Sequence, residues 1–323
     1  MINYARYNIP NYRNITSIPS GYLPSDLNTS LAQNWYYAFG GCSNLTSLPD
    51  PFYDTSNATN MSNMFAWCFN LTTVPNFDTS NVTNMAGMFN CCYNITNIPN
   101  FDAGNVINMS MMFYECSNLT TVSNFNTSNV TNMFGVFYKC RNLTTIPNFD
   151  TSNVTRMSNM ISHCYNLTTV PNFNTSKVTG MSRMFLSCSN LTTIPKLDTS
   201  NVTDMGDMFR LCTNLTTVPN FNTSNAINMS GMFYHCNNLT TVPNFDTSNA
   251  INMGWMFRDC YNIKGDLYIE SNNVINAERV FYNCSNYTKN IYCHANTQTY
   301  NAIYEAMGNT TYNSNWNTYL KTL

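Results

Sequence analysis

Charge is what this chain has least of. Asp, Glu, Lys and Arg make up 9% of its 323 residues, against about 25% in an ordinary soluble domain. Fourteen basic residues face sixteen acidic ones, for a formal net charge of -2. A nucleic-acid-binding face works by neutralising phosphates and releasing counterions, and so few cations cannot build one. A polybasic membrane contact is excluded on the same count. Long apolar runs are also missing, since no stretch approaches the roughly 18 residues a membrane span requires. The N-terminal text MINYARYNIPNYRNITSIP has no apolar h-region, lipid-attachment cysteine or small-residue cleavage site, so no standard secretory signal is read there. No CxxC or Cys/His cluster of metal-binding spacing accompanies the cysteines.

Amide and apolar groups fill the space that charge vacates. There are about 57 Asn, yet 43% of residues are apolar and 14% aromatic. Uncharged polar tracts often stay disordered, whereas this apolar content is enough for a large core. The thirteen cysteines settle which description applies. Cys68, Cys92, Cys116, Cys140, Cys164, Cys188, Cys212, Cys236, Cys260 and Cys284 follow one another every 24 residues, and Cys42 precedes them. Only Cys91, read as exposed, and Cys293 fall outside the ladder. A residue at a fixed phase of a repeat occupies the same place in every unit, so each ladder cysteine is expected to be a small buried side chain. Parallel Cβ vectors argue against disulfides between neighbouring units.

One full unit is NLTTVPNFDTSNVTNMAGMFNCCY, from Asn70 to Tyr93. Its apolar positions Leu71, Val74, Phe77, Val82, Met85, Met88, Phe89 and Cys92 recur 24 residues on. The spacing suits a coil that turns once per repeat and keeps those side chains inside. Residues 71–74 read as a short strand ended by Pro75, and Asp78-Thr79-Ser80 has the chemistry of an Asx or ST turn. Met85, Met88, Phe89 and Cys92 have the i, i+3, i+4, i+7 spacing of about two helical turns. A single coil cannot bury its apolar face, but stacked coils share one core. Asn70 and its equivalents are placed to form an internal amide ladder.

Both ends are expected to be caps. Residues 1–41 form the first, with Leu27, Leu31, Trp35 and Phe39 on one helical face before Gly40-Gly41. Residues 42–285 hold about ten repeats. Residues 286–323 close the array, with a strand at Asn290–Cys293 and a helix carrying Tyr300, Ile303, Tyr304 and Met307 between Thr297 and Gly308.

The text DTSNVTNM followed by M-x-x-MF-x-x-C-x-N-L, present nearly throughout residues 42–286, resembles the BspA-like leucine-rich repeat family, in particular its Mycoplasma-type lipoprotein repeat. The resemblance implies a leucine-rich-repeat-like solenoid, a right-handed coil with a parallel β-sheet on one side and short helical turns on the other. It also implies a bacterial surface protein linked to adhesion, and no enzyme. Similar repeats are carried by phages and mobile elements.

Function is sought where the copies disagree. The strand text barely changes, while two windows vary, one between the two Met positions and one around the Cys. They hold Trp67, Phe69, Tyr93, Tyr114, Glu115, Tyr138, Lys139, Arg141, His163, Tyr165, Arg183, Arg210, Tyr234, His235, Trp255, Arg258, Asp259 and Tyr261. Helical phasing would turn these residues outward as a stripe, and Tyr, Trp and Arg are frequent interface anchors. Other constellations are weaker. Asp78, Asp102, Asp150, Asp198 and Asp246 share a phase with Asn126, Asn174 and Asn222, a row better explained by turn capping than by calcium. The doubled threonines, such as Thr72-Thr73, would lie on opposite faces of a strand. His163 and His235 lie three coils apart, about 15 Å by strand spacing, too far to act together. The expectation is a non-enzymatic adhesin without cofactor, metal or membrane insertion, whose partner is a protein or glycan on another cell or particle. A virion or receptor-binding protein of a bacteriophage and a cytosolic interaction scaffold are the alternatives. The residues do not give its location; the resemblance implies a cell surface, the extracellular space or a virion.

Overall fold

A computed structural model describes residues 15–17, 29–50, 52–264, 266–271, 274–284, 291–294 and 320–322. The chain forms two compact units, Met1–Val154 with Cys164–Asn166, and Thr155–His163 with Leu167–Leu323.

In both units the chain advances one coil every 24 residues, and the Met-to-Cys segment carries most of the bonds between coils. Met85, Gly87, Phe89 and Cys91 donate their N–H groups to the carbonyls of Asn108, Ser110, Met112 and Tyr114 in the next coil, at 2.7–2.9 Å. The N–H groups between them stay at home. Met88, Asn90 and Cys92 donate to the carbonyls of Met85, Gly87 and Phe89, three residues back, at 2.9–3.2 Å. Ala86 donates to Asn84 Oδ1 at 3.1 Å. Every N–H from Met85 to Cys92 is therefore used, alternately across and within the coil, as a buried backbone requires. The second unit repeats the scheme, with Met205, Asp207, Phe209 and Leu211 donating to Asn228, Ser230, Met232 and Tyr234.

The expected solenoid with helices on one side and a parallel sheet on the other is not what forms. Outside this turn scheme, the described regular structure is one 3₁₀ turn, Thr29–Leu31, and three strands, β1 Leu267–Glu270, β2 Ile291–His294 and β3 Leu320–Thr322. Helices fail for a geometric reason. Neighbouring helix axes need about 8–10 Å, yet equivalent rings of successive coils are closer than that. Phe65 and Phe89 stack at 5.6 Å and Phe113 and Phe137 at 5.7 Å. A helix would also spend every N–H inside its own coil, leaving none to cross. The inward spacing of Met85, Met88, Phe89 and Cys92, all 0% exposed, is real but is produced by consecutive β-turns.

The sheet fails because the repeat text cannot sustain a ladder. Pro75 has no N–H, and Leu71 and Val74 are three residues apart, which breaks the alternation of a strand. One backbone bond crosses here, Thr72 N–H to the Thr46 carbonyl at 3.1 Å. In later coils the segment folds on itself, Phe149 donating to the Pro147 carbonyl at 2.9 Å, a three-residue turn. What remains of a sheet is isolated parallel bridges, nearly all at the residue before the first Met, such as Asn60 with Asn84 and Asn84 with Asn108, with one in the strand text, Thr217 with Thr241. True strands appear where the repeat text diverges. β1 reads Leu-Tyr-Ile-Glu, with Leu267 and Ile269 buried and Tyr268 half-buried between them, and it pairs in parallel with β2, which pairs with β3.

Of the expected N-terminal cap, Trp35 and Phe39 are buried, while Leu31 is exposed. They lie on turns, because Tyr37 sits at φ 57°, which no right-handed helix allows. Leu27 and the expected helix from Thr297 to Gly308 fall outside the described residues.

Each core is columnar. In the first unit Phe39, Phe65, Phe89, Phe113 and Phe137 stack in file at 5.4–6.0 Å. In the second, Phe209, Phe233, Phe257 and Phe281 do so at 5.5–5.6 Å. The twelve cysteines with described side chains are buried thiols, Cys91 included, which corrects its expected exposure. Cys92 donates its S–H to the Phe65 carbonyl at 3.1 Å, an oxygen that also receives the Cys68 N–H at 3.2 Å. The same bond recurs through the ladder, for example Cys140 to Phe113 and Cys236 to Phe209, both at 3.0 Å. Burial pushes these thiols well above their ordinary range.

Candidate binding site

Two residues per coil adopt the left-handed conformation, the third and seventh counted from the first Met. In the first unit they include Asn63, Gly87, Met111 and Gly135, and Trp67, Cys91, Glu115 and Lys139. In the second they include Arg183, Asp207, Gly231, Trp255 and Arg279, and His163, Ser187, Leu211, His235, Asp259 and Asn283. Their φ values lie between 51° and 62°. No Val, Ile or Thr stands at any of them, as the steric cost of left-handed backbone to a branched Cβ requires. The variable windows are thus columns at or beside left-handed turns, which corrects the expected helical edge.

In the first unit three neighbouring columns hold the predicted residues. Trp67 is 45% exposed and meets Tyr37 edge-on at 5.7 Å. Beside it Phe69 and Tyr93 stack at 5.1 Å, with about a third of each exposed. Tyr114 and Tyr138 stack at 4.4 Å. Lys139 Nζ pairs with Glu115 Oε1 at 2.6 Å, and that bond raises the lysine pKa. Arg141 is exposed and lies over the Tyr165 ring at 5.9 Å. Partial burial, reinforced by Cys91 and Glu115, pushes Tyr93 up to about 12. Burial and the Tyr138 hydroxyl do the same to Tyr114, also to about 12. Both phenols remain donors at neutral pH.

In the second unit the same phases build a denser cluster. Arg210, Tyr234, Arg258 and Tyr282 alternate along one column. Tyr234 receives guanidinium groups from Arg210 at 4.7 Å and Arg258 at 5.0 Å, and Arg258 also faces Tyr282 at 5.0 Å. Asp259 is 4% exposed. Its Oδ2 meets Arg258 Nε at 3.2 Å and His235 Nε2 at 3.3 Å, and its Oδ1 accepts from Asn283 Nδ2 at 2.7 Å. Asn283 Nδ2 also approaches the Tyr261 hydroxyl at 3.3 Å. Asp259 therefore organises its neighbours from inside. Arg183 is exposed and reaches Asp207 at 3.2 Å, which Arg210 also approaches at 3.5 Å. Trp255 is 39% exposed and His163 is half-buried. Sequence reasoning places Asp207 in the variable window between the two Met positions but passes over Tyr282 and Asn283. Both share phases with predicted residues, so column membership would have found them.

The Asp and Asn row caps turns. Asp78 Oδ1 accepts from the N–H and hydroxyl of Ser80 at 2.8 and 2.7 Å. The Ser152 N–H and hydroxyl hold the Asp150 carboxyl below its usual range. No group of three or more His, Cys, Asp or Glu able to hold a metal occurs among the described residues. The amide ladder exists, Asn94 donating to Asn70 at 3.2 Å and Asn118 to Asn94 at 3.3 Å, but it is exposed rather than internal. Thr72 and Thr73 are both exposed, since their segment is not a strand, and Thr72 Oγ1 is bonded to the Thr46 carbonyl at 3.0 Å. Among the described residues no helix is long and apolar enough to cross a membrane.

Stacked 24-residue coils with two columns of left-handed turns, and no catalytic arrangement among the described residues, define a repeat protein whose variable side chains lie along one band of each unit. The chain belongs to the family described as Mycoplasma protein of unknown function, DUF285, which it matches over residues 33–144, 117–217, 162–267 and 210–319. That match, with the near absence of described helix and sheet, corrects the assignment to BspA-like leucine-rich repeat surface proteins. No curated protein matches the chain. Among solved structures, a leucine-rich repeat protein from Eubacterium ventriosum is 18% identical, covering 78% of this chain and 74% of its own, with a TM-score of 0.42. One from Bacteroides ovatus is 14% identical, over 89% and 86%, with a TM-score of 0.37. A leucine rich cell surface protein from Faecalibacterium prausnitzii is 20% identical, over 77% and 66%, with a TM-score of 0.36. At these TM-scores the likenesses establish neither fold nor function.

Proposed function

We propose that this is a non-enzymatic binding protein that recognises a protein or glycan surface through the side chains at and beside its left-handed columns. One observation carries the reading. Every ion pair found among the described residues includes a residue at a left-handed position, in a chain with only 9% charge. Exposed Trp67, Phe69, Tyr93 and Tyr165 lie at or beside such positions in the first unit, and exposed Trp255 lies at one in the second; aromatic and Arg side chains are what anchor interfaces. A protein of this kind would act at a cell surface, in the extracellular space or on a virion. Mass spectrometry of purified virions, cell envelopes and cytosol would place it.

The test replaces Tyr138, Lys139, Arg141 and Tyr165 together with Ser. Wild type and variant are probed on intact cells, a glycan array and a panel of cell-surface ectodomains. Loss of binding by a variant that remains folded is expected. Undiminished binding by the folded variant would overturn the proposal.

A further inference from the structure

The first unit has a cleft of about 300 Å³ lined by Tyr93, Glu115, Ser117, Lys139 and Arg141. We infer that it binds one ring of an acidic sugar, the carboxylate on Arg141 and the ring against Tyr93, an inference that rests on the binding role proposed above. The charge arithmetic selects an anion. Lys139 and Glu115 neutralise each other at 2.6 Å, which leaves Arg141 as the surplus charge in a chain of net charge -2. Its guanidinium meets only the Tyr165 face, at 5.9 Å, among the described residues. Its planar fork of donors is thus available to a carboxylate, which it matches in two-point geometry.

The other walls select a ring. Tyr93 is backed by Phe69 at 5.1 Å, which fixes its plane, and about a third of it remains exposed. A sugar presents one apolar face of C–H groups to such a platform and hydroxyls around its rim. The rim would meet the Tyr93 hydroxyl, Ser117 Oγ and the outer oxygen of Glu115. About 300 Å³ is the lower end of ligand-site volumes, so the cleft suits a single terminal ring. An acidic peptide would use Arg141 without needing the aromatic wall.

The experiment is a titration of the full chain, followed by amide NMR and calorimetry. Its probes are glucuronate, N-acetylneuraminate, their methyl esters, glucose and a short Glu-containing peptide. At least one sugar acid is expected to shift the amides of Tyr93, Ser117, Lys139 and Arg141. Its methyl ester and glucose should bind at least about tenfold more weakly, as the loss of a charged hydrogen-bonded contact implies. Arg141→Gln should weaken the acid about tenfold without moving the unfolding midpoint, and Tyr93→Leu should weaken it about tenfold in a chain that remains folded. No saturable binding of either acid, equal binding of the peptide, or indifference to Arg141→Gln would each overturn the inference. The two proposals fail separately. A wild type that binds cells but no sugar acid sinks only the cleft, whereas a quadruple Ser variant that binds cells normally sinks the broader reading.

Discussion

Replacing Gly135 with Ala separates a left-handed turn from a helix by the sign of the effect. Gly135 has φ 60°, and a Cβ added there would meet Met111 Cγ at 3.7 Å and Tyr114 Cδ2 at 3.8 Å. Those are ordinary contacts, so the methyl group has room and the cost lies in the backbone alone. Placing an L-residue in left-handed backbone costs about 1–2 kcal/mol. The lower entropy of the unfolded Ala chain returns about 0.4–1 kcal/mol. A net destabilisation of about 1 kcal/mol follows, and Gly135→Val should cost more because its branched Cβ is excluded more strongly. Had the segment been helical, Ala would be better than Gly by about 0.8–1.0 kcal/mol. Urea unfolding followed by tryptophan fluorescence reads the difference, with unchanged m-values confirming a pure stability change. A Gly135→Ala variant as stable as wild type, or more stable, would refute the left-handed assignment.

Alkali should unfold the first unit. Cys68, Cys92, Cys116 and Cys140 are fully buried with their pKa values raised well above normal, mainly by desolvation, so the folded state keeps protons that unfolded thiols lose above about pH 8.5. Stability should be insensitive to these groups below that pH and fall by roughly 1.4 kcal/mol per pH unit per thiol above it; urea midpoints unchanged up to pH 10.5 would contradict this. Phe113→Ala removes a ring stacked between Phe89 at 6.0 Å and Phe137 at 5.7 Å and should cost about 3–5 kcal/mol in the same assay. Asp259→Ala strands Arg258, His235 and Asn283 beside a buried site and should cost about 2–3 kcal/mol. Arg183→Gln, at an exposed pair, should cost about 0.5 kcal/mol or less, and comparable losses for the two would refute the structural role of Asp259.

The 24-residue phase and the identity of the core were legible in the sequence. Leu71, Phe77, Val82, Met85, Met88, Phe89 and Cys92 all point inward. The conformation that turns them inward was not, because inward spacing of three, four and seven residues is shared by a helix and by a chain of β-turns. The distinguishing signal lay in the outward positions. Gly87, Gly135 and Gly231 share one phase, and neither left-handed column contains Val, Ile or Thr, in a chain rich in Thr elsewhere. Gly231 is a tight case, since a Cβ there would lie 2.4 Å from Asp207 Oδ1. The variable residues were found from disagreement between copies, but their partnerships were not. Lys139 with Glu115, and His235 with Asp259, become pairs only because equivalent positions stack at one coil's separation. The burial of Asp259 was likewise invisible to a reading that treated every variable position as outward.

Through-hydrogen-bond scalar couplings test the architecture most directly. In the native protein, the amide nitrogen of Phe113 should couple to the carbonyl carbon of Val136, whose oxygen lies 3.0 Å away across the coil boundary, and that of Tyr114 to the carbonyl carbon of Met111, whose oxygen lies 3.1 Å away within the coil. This alternation ties each coil to the next while it closes the turns within the coil. Couplings from Phe113 to Met109 and from Tyr114 to Ser110, the four-residue steps of an α-helix, would contradict it.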